Sequence, residues 1–190
     1  MEFGVLKGKK IVLREKRLED ANKDYAWRSD DELAHLDAAP TLRIPFTNFL
    51  ASYADELAHP SRRRRRFAIE TLDGKHIGNC MYYNIDEGKR GAELGIMIGD
   101  RDYWDQGHGT DVVTTLLDHI FNTTKLERVY LNTLEWNIRA HRCFEKGGFV
   151  RCKRQRRFHN DFISMEIYRS SWQHRASPKG DQTVKKKQEG

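Results

Sequence analysis

Hydrophobic and polar positions along this chain follow two periods that take turns. "KIVLREKR" puts Ile11 and Leu13 on one face with period two and predicts a first strand. "LEDANKDYAWRS" and "TNFLASYADELAHP" read as helices, the second opening at Thr47 and stopping before Pro60. "RFAIETL" and "HIGNCMYYNI" are β-rich and separated by "DGK", a hairpin signal, and "AELGIMIG" predicts a further apolar strand. The clearest helix comes next: Val112, Val113, Leu116, Leu117, Ile120 and Phe121 form one broad apolar stripe.

"RVYLNTL" then predicts a buried strand. "NIRAHRCFEKGGF" predicts a helix with Asn137 at its N-cap and Gly147-Gly148 as its stop. "VRCKRQRRFH" and "DFISMEIYR" close the domain as a hairpin through Asn160 and Asp161. Consecutive strands, a strand-helix-strand unit and a terminal hairpin imply an α+β protein with a mixed sheet.

Composition narrows this to one domain. Of 190 residues, 38% are hydrophobic and 33% charged, a balance that suits a packed core with a wet surface. No run of 18 apolar residues occurs, and "MEFGVLKGKK" has no apolar signal core, so the expectation is a cytoplasmic protein with no membrane span. The domain is expected over residues 1–175 and a disordered basic tail over 176–190, where "SPKGDQTVKKKQEG" lacks aromatics and has one apolar residue. Three cysteines with no C-x-x-C pair argue against a disulfide framework or a cysteine zinc site. The net charge of +6 attracts anions without saying which.

Candidate chemistry gathers at "DQGHGTD", residues 105 to 111, where three readings compete. A metal site needs several converging ligands, and the eight histidines are scattered as singles. A plain turn explains any such glycine pair. A phosphate loop gains from context, because the segment follows a strand and opens the best helix, where free amides and the positive helix end face one point. Asp111 would oppose an anion unless its side chain faces away. A third glycine for a dinucleotide fingerprint and a G-K-[ST] for a Walker loop are both absent.

"ELGIMIGDRDYWDQGHGTDVV" followed by "VYLNTLEWNIRAHRCFEKGGFV" resembles the GNAT acetyltransferase superfamily. More closely it is similar to the RimJ/RimL type, the branch of ribosomal-protein alanine and spermidine or amino-sugar N-acetyltransferases. The family joins [QR]-x-x-G-x-[GA] after a strand to a later helix carrying N-x-x-A-x-x-x-[YF]-E-K-x-G-F, and the likeness covers residues 9 to 170. It implies a mixed, mostly antiparallel central sheet of about six or seven strands flanked by helices, in the α+β class. It also implies acetyl-CoA as cosubstrate, with no metal.

The same resemblance assigns residues. Backbone amides of Gln106, Gly107, His108, Gly109 and Thr110 would hold the pyrophosphate, the His108 side chain being a surface loop residue. The strand Gly95, Ile96, Met97 and Ile98 would pair with the pantetheine amides, one N–H polarising the thioester carbonyl. Asn137 and Arg142 would contact the cofactor arm or its 3′-phosphate, although Asn137 serves equally as an N-cap. Glu93 is the candidate general base for the incoming amine. Two departures stand out: Trp104 where the superfamily pattern has Gln or Arg, although the RimJ/RimL branch commonly has an aromatic there, and Phe144 where many members use a tyrosine to protonate the leaving thiolate.

The implied reaction is direct attack of a primary amine on acetyl-CoA in a ternary complex, the amine belonging to a protein N-terminus, a polyamine, or an amino sugar or antibiotic. "DDEL" at 30 to 33 is a candidate acidic wall for the acceptor, and homodimer pairing fits the family. The rival is a catalytically impaired member that holds RNA, ribosome or an acidic protein through Arg62–Arg66 and "RCKRQRRFH", should both runs share a face. The absence of an RNA-binding motif and of interleaved aromatics argues against nucleic acid.

Overall fold

The structure, a computed structural model, describes residues 4–157 and 159–176. Two strands, β1 (Leu6–Lys7) and β2 (Ile11–Glu15), lead through a 3₁₀ turn at Leu18–Asp20 into three helices. These are α1 (Ala21–Arg28), α2 (Asp31–Leu36) and α3 (Phe46–Ala58). A meander follows, of β3 (Arg64–Thr71), β4 (His76–Asp86) and β5 (Gly91–Ile98). Helix α4 (His108–Thr123) then crosses to β6 (Arg128–Leu134), and α5 (Ile138–Gly147) precedes the hairpin of β7 (Val150–Arg157) and β8 (Asn160–Tyr168). Helix α6 (Arg169–Ala176) comes last.

All strands join one sheet in the order β1-β2-β3-β4-β5-β6-β8-β7, antiparallel at every junction except β5–β6. The mostly antiparallel α+β expectation holds. The sheet has eight strands rather than six or seven because β1, two residues long, is too short to leave a period in the sequence. The hairpin does not end the fold either: α6 packs back with Trp172 buried and its indole N–H donating to Asp118 Oδ1 at 2.8 Å. Of the tail expected over residues 176–190, Ala176 ends α6 and residues 177–190 lie outside the described residues.

Helix α4 supplies the centre of the core. Val112, Val113, Leu116, Leu117 and Ile120 are fully buried against Ile11 and Leu13 of β2, Ile69 of the meander, and Leu131 and Met165 of the C-terminal strands. Truncating Leu116 to Ala at such a site costs about 3 kcal/mol. Helix α5 crosses α4 so closely that a Cβ on Gly147 would stand 2.4 Å from Val113 Cγ1. Only glycine fits there, and Gly148, at φ 102°, then ends the helix.

The sheet is weakest where it matters for function. The parallel seam between β5 and β6 holds three registered pairs, Gly91–Arg128, Ala92–Val129 and Glu93–Tyr130. Beyond Glu93, β5 pairs with β4 and β6 with β8, so the two strands part like a wedge.

Candidate active site

Where β5 and β6 part, a cleft of about 550 Å³ opens, with Ile96–Ile98 on one wall and Asn137–Phe144 on the other. Its end is closed by Tyr103, Trp104, Gly107, Gly109 and Thr110. Gly107 caps α4 at φ 84°, a left-handed conformation that costs other residues about 1–2 kcal/mol. Asp111 is the first residue to donate within the helix, to Gly107 O at 3.1 Å. The amides of Gly107, His108, Gly109 and Thr110 are therefore the unpaired donors of the helix end, facing the positive pole of its dipole.

Asp111 does not oppose an anion here. Its Oδ2 accepts from the Lys10 amide at 2.7 Å, on the turn between β1 and β2, and Lys10 Nζ donates to Gln106 O at 2.7 Å. Gln106 itself turns its side chain to Asp102 O and does not line the cleft. The expectation for the His108 side chain needs correction: it is not a surface loop residue. It packs edge-on against Tyr103, ring centroids 5.2 Å apart, with Nδ1 buried and unpartnered, because the first turn of α4 points it into the core.

On the opposite wall, Asn137 caps α5, its Oδ1 accepting from the Ala140 amide at 3.2 Å, and also lines the cleft with Arg142. Arg139 crosses the opening and lies 3.5 Å from the Trp104 ring centroid. Trp104 in turn donates its indole N–H to Ile98 O at 2.7 Å, so the aromatic ahead of the glycine loop grips the end of β5. Phe144 packs edge-on against Phe149. Burial pushes the neighbouring Cys143 thiol up, which keeps it protonated and a poor nucleophile.

A second cleft of about 350 Å³ lies under α1 and α3. Side chains alternate along β5, so Ile96 and Ile98 face the core side while Gly95 and Met97 face this second space. Its floor is a buried ionic cluster. Asp24 accepts from Lys16 Nζ at 2.7 Å, Tyr53 Oη at 3.0 Å and Asn79 Nδ2 at 2.8 Å. Behind it, Arg14 grips Asp20 with two hydrogen bonds of 2.8 Å and reaches Glu70 Oε1 at 2.7 Å. Burial alone would raise the Asp20 pKa, yet the hydrogen bonds from Arg14 and the Arg17 amide outweigh it and hold the carboxyl at about 2.

The two clefts share Asp37, Ile96 and Met97. Asp37 follows α2 and is open to the space inside the clefts, yet the walls around it strip away much bulk water. That desolvation pushes its carboxyl up to about 6, against a smaller opposing pull from Arg28. Sequence patterns gave no sign of it.

Glu93, the candidate base, lines neither cleft. Its Oε2 accepts from Asn84 Nδ2 at 3.0 Å and its Oε1 from Asn132 Nδ2 at 2.8 Å. Asn84 sits in a β4 irregularity with φ 51°, which aims its amide across the sheet. Asn132 continues the chain, accepting from Ser164 Oγ at 2.7 Å and Gln155 Nε2 at 2.6 Å. A polar ladder thus crosses five strands where the seam ends.

The remaining charged segments separate. Asp30 and Glu32 of "DDEL" bind Arg101 and Asp31 binds Arg43, so none of the three forms an acceptor wall. Arg64 and Arg66 turn into the second cleft onto Glu56. The other basic run lies on β7, five strand positions from β3, about 24 Å at ~4.8 Å per strand, so the two runs do not form one patch. Among the described residues, no group of three or more His, Cys, Asp or Glu could hold a metal ion, and no helix is long and apolar enough to cross a membrane.

Comparisons with known proteins agree with this geometry. Residues 10–150 match the family model of the acetyltransferase (GNAT) domain. The Uncharacterized N-acetyltransferase p20 of Bacillus licheniformis is 25% identical over 148 residues, 75% of this chain and 83% of that protein. The Aminoglycoside N(6')-acetyltransferase type 1 of Klebsiella pneumoniae is 26% identical over 158 residues, 74% of each chain. In fold, the chain is similar to the spermidine N-acetyltransferase of Vibrio cholerae solved with CoA and spermine, with a TM-score of 0.78 at 21% identity, covering 86% of this chain and 98% of the other. The chain belongs to the GNAT family of acetyl-CoA-dependent N-acetyltransferases.

Proposed function

We propose that the protein transfers an acetyl group from acetyl-CoA, held in the larger cleft, to a primary amine held in the smaller one, by direct attack. The observation that carries this is the meeting of the two clefts at Asp37, Ile96 and Met97. The Gly107–Thr110 amides receive the pyrophosphate, and Asn137 and Arg142 face the cofactor arm. The open edge of Gly95–Ile98 pairs with the pantetheine amides and turns one N–H toward the thioester oxygen, where a fixed donor stabilises the developing oxyanion. Trp104 ahead of the loop supports a place in the RimJ/RimL-like branch.

An amine reaches neutral solution largely protonated and must lose that proton to attack. In this proposal Asp37 receives the ammonium and takes the proton, a role for which a carboxyl poised near 6 is suited. Glu93, with both oxygens held by amides, fixes the end of the seam instead of touching the amine. Phe144 has no proton to give, so the departing thiolate takes one from solvent in the open cleft.

Calorimetric titration with acetyl-CoA, run beside NAD and ATP, tests the proposal. Micromolar binding of acetyl-CoA alone is expected. Gly109→Trp should abolish it, since a side chain there starts 3.1 Å from Cys143 Sγ and fills the cleft. Equal binding of ATP or NAD would reject acetyl-CoA as the ligand.

A further inference from the structure

We infer that the acceptor is a small amine that also carries an anion, its ammonium on Asp37 and its anionic group on Arg28. The inference rests on the acetyl-transfer reading and narrows its substrate class.

The second cleft holds four basic side chains against three carboxylates. Most of them are already engaged with one another. Lys16 is held by Asp24 at 2.7 Å. Glu56 binds both Arg64, at 3.3 Å, and Arg66. What remains is one carboxylate, Asp37, and one guanidinium, Arg28, neither of which has a side-chain hydrogen bond or ion pair among the described residues. The two sense each other, since the Arg28 charge opposes the rise in the Asp37 pKa.

A free anion and a free cation on one cleft are complementary to a ligand with the opposite pair. An ammonium placed on Asp37 stands at the junction with the cofactor cleft, where the thioester would be. An anion on the same molecule would then satisfy Arg28, and a guanidinium binds carboxylate or phosphate oxygens in pairs. A polycation meets the reverse situation. The cleft has no excess of carboxylates, so each extra ammonium would enter a space whose own charge is already positive. This acceptor side therefore differs in charge logic from one built for spermine or kanamycin.

The test uses matched amines with and without an anion: phosphoethanolamine against ethanolamine, and 4-aminobutyrate against butylamine, with spermine and kanamycin beside them. Thiol release from acetyl-CoA gives kcat/KM for each, and calorimetry gives acetyl-CoA affinity. The anionic member of at least one pair is expected to lead its partner by about tenfold or more, as one charge-assisted contact allows. Arg28→Gln should remove that lead without changing acetyl-CoA affinity, and Arg28→Lys should restore part of it. Preference for spermine or kanamycin, a lead that survives Arg28→Gln, or no transfer to any of these amines despite acetyl-CoA binding would overturn the acceptor assignment and leave the cofactor cleft standing. Loss of acetyl-CoA binding in the wild-type protein would instead reject the acetyl-transfer reading itself.

Discussion

Arg139 stacks its guanidinium on the Trp104 indole at 3.5 Å, and the same indole donates to Ile98 O, so one contact ties α5, the glycine loop and the end of β5 together. A cation over an indole contributes about 0.5–2 kcal/mol, depending on how far it is desolvated. Arg139→Ala should therefore lower the midpoint of thermal unfolding modestly and weaken acetyl-CoA binding severalfold. Tryptophan emission should also shift on acetyl-CoA addition to the wild-type protein. An unchanged Kd in the alanine variant would show that the stack lies outside the occupied site.

The raised Asp37 carboxyl makes two predictions of opposite kind. In catalysis, the base forms as pH rises through about 6, so kcat/KM should climb across that range and then level. Asp37→Asn should cost about 10²-fold or more in kcat and erase that limb, with acetyl-CoA affinity retained. In stability the sign reverses. Between its ordinary value of 3.8 and about 6, the folded state holds the proton that the unfolded state has lost, so stability falls as pH rises through this window. Asp37→Asn should raise the melting temperature at pH 8 and leave it nearly unchanged at pH 4.

Glu93→Gln separates a structural carboxylate from a catalytic one. Replacing one oxygen by an NH₂ leaves Asn84 or Asn132 without its acceptor, at a cost of about 1–3 kcal/mol. Urea unfolding should register this loss, while the pH profile of kcat keeps its limb near 6. A kcat loss larger than that of Asp37→Asn, without loss of stability, would return the base to Glu93.

How much of this was legible depended on whether a signal is local. The apolar stripe of α4 and the Gly107 and Gly148 turns follow from neighbours in sequence, and they appear where expected. The place of Glu93 at the start of the cofactor strand suggests a base, while its amide partners are nine and 39 residues away, beyond any local pattern. Asp37 lies in "HLDAAP", which has no period, and it matters only because the chain after α2 returns to the end of the wedge. The arginine run itself was visible, but not that Glu56 on α3 would wait for Arg64 and Arg66.

The Arg14–Asp20 pair predicts acid sensitivity. A carboxyl held at about 2 in the folded state contributes stability that is complete above its ordinary value of 3.8 and is lost as pH falls toward 2. The amount is on the order of 2 kcal/mol for this group. Asp20→Asn should remove that part of the acid transition, read as a flatter dependence of the urea midpoint between pH 4 and pH 2.

The short seam between β5 and β6 has a consequence for how the molecule behaves in a crowd. Backbone groups left open on the rim of a sheet invite strands from other chains, a common route to aggregation. Here the outer rim, β7, carries Arg151, Lys153, Arg154, Arg156 and Arg157, which repel a like strand from another copy. The open edge of β5 lies instead inside the wedge, walled by α5 and by the chain after α2. The protein can thus keep a stretch of adhesive backbone ready for a narrow, flexible guest while denying it to its own kind.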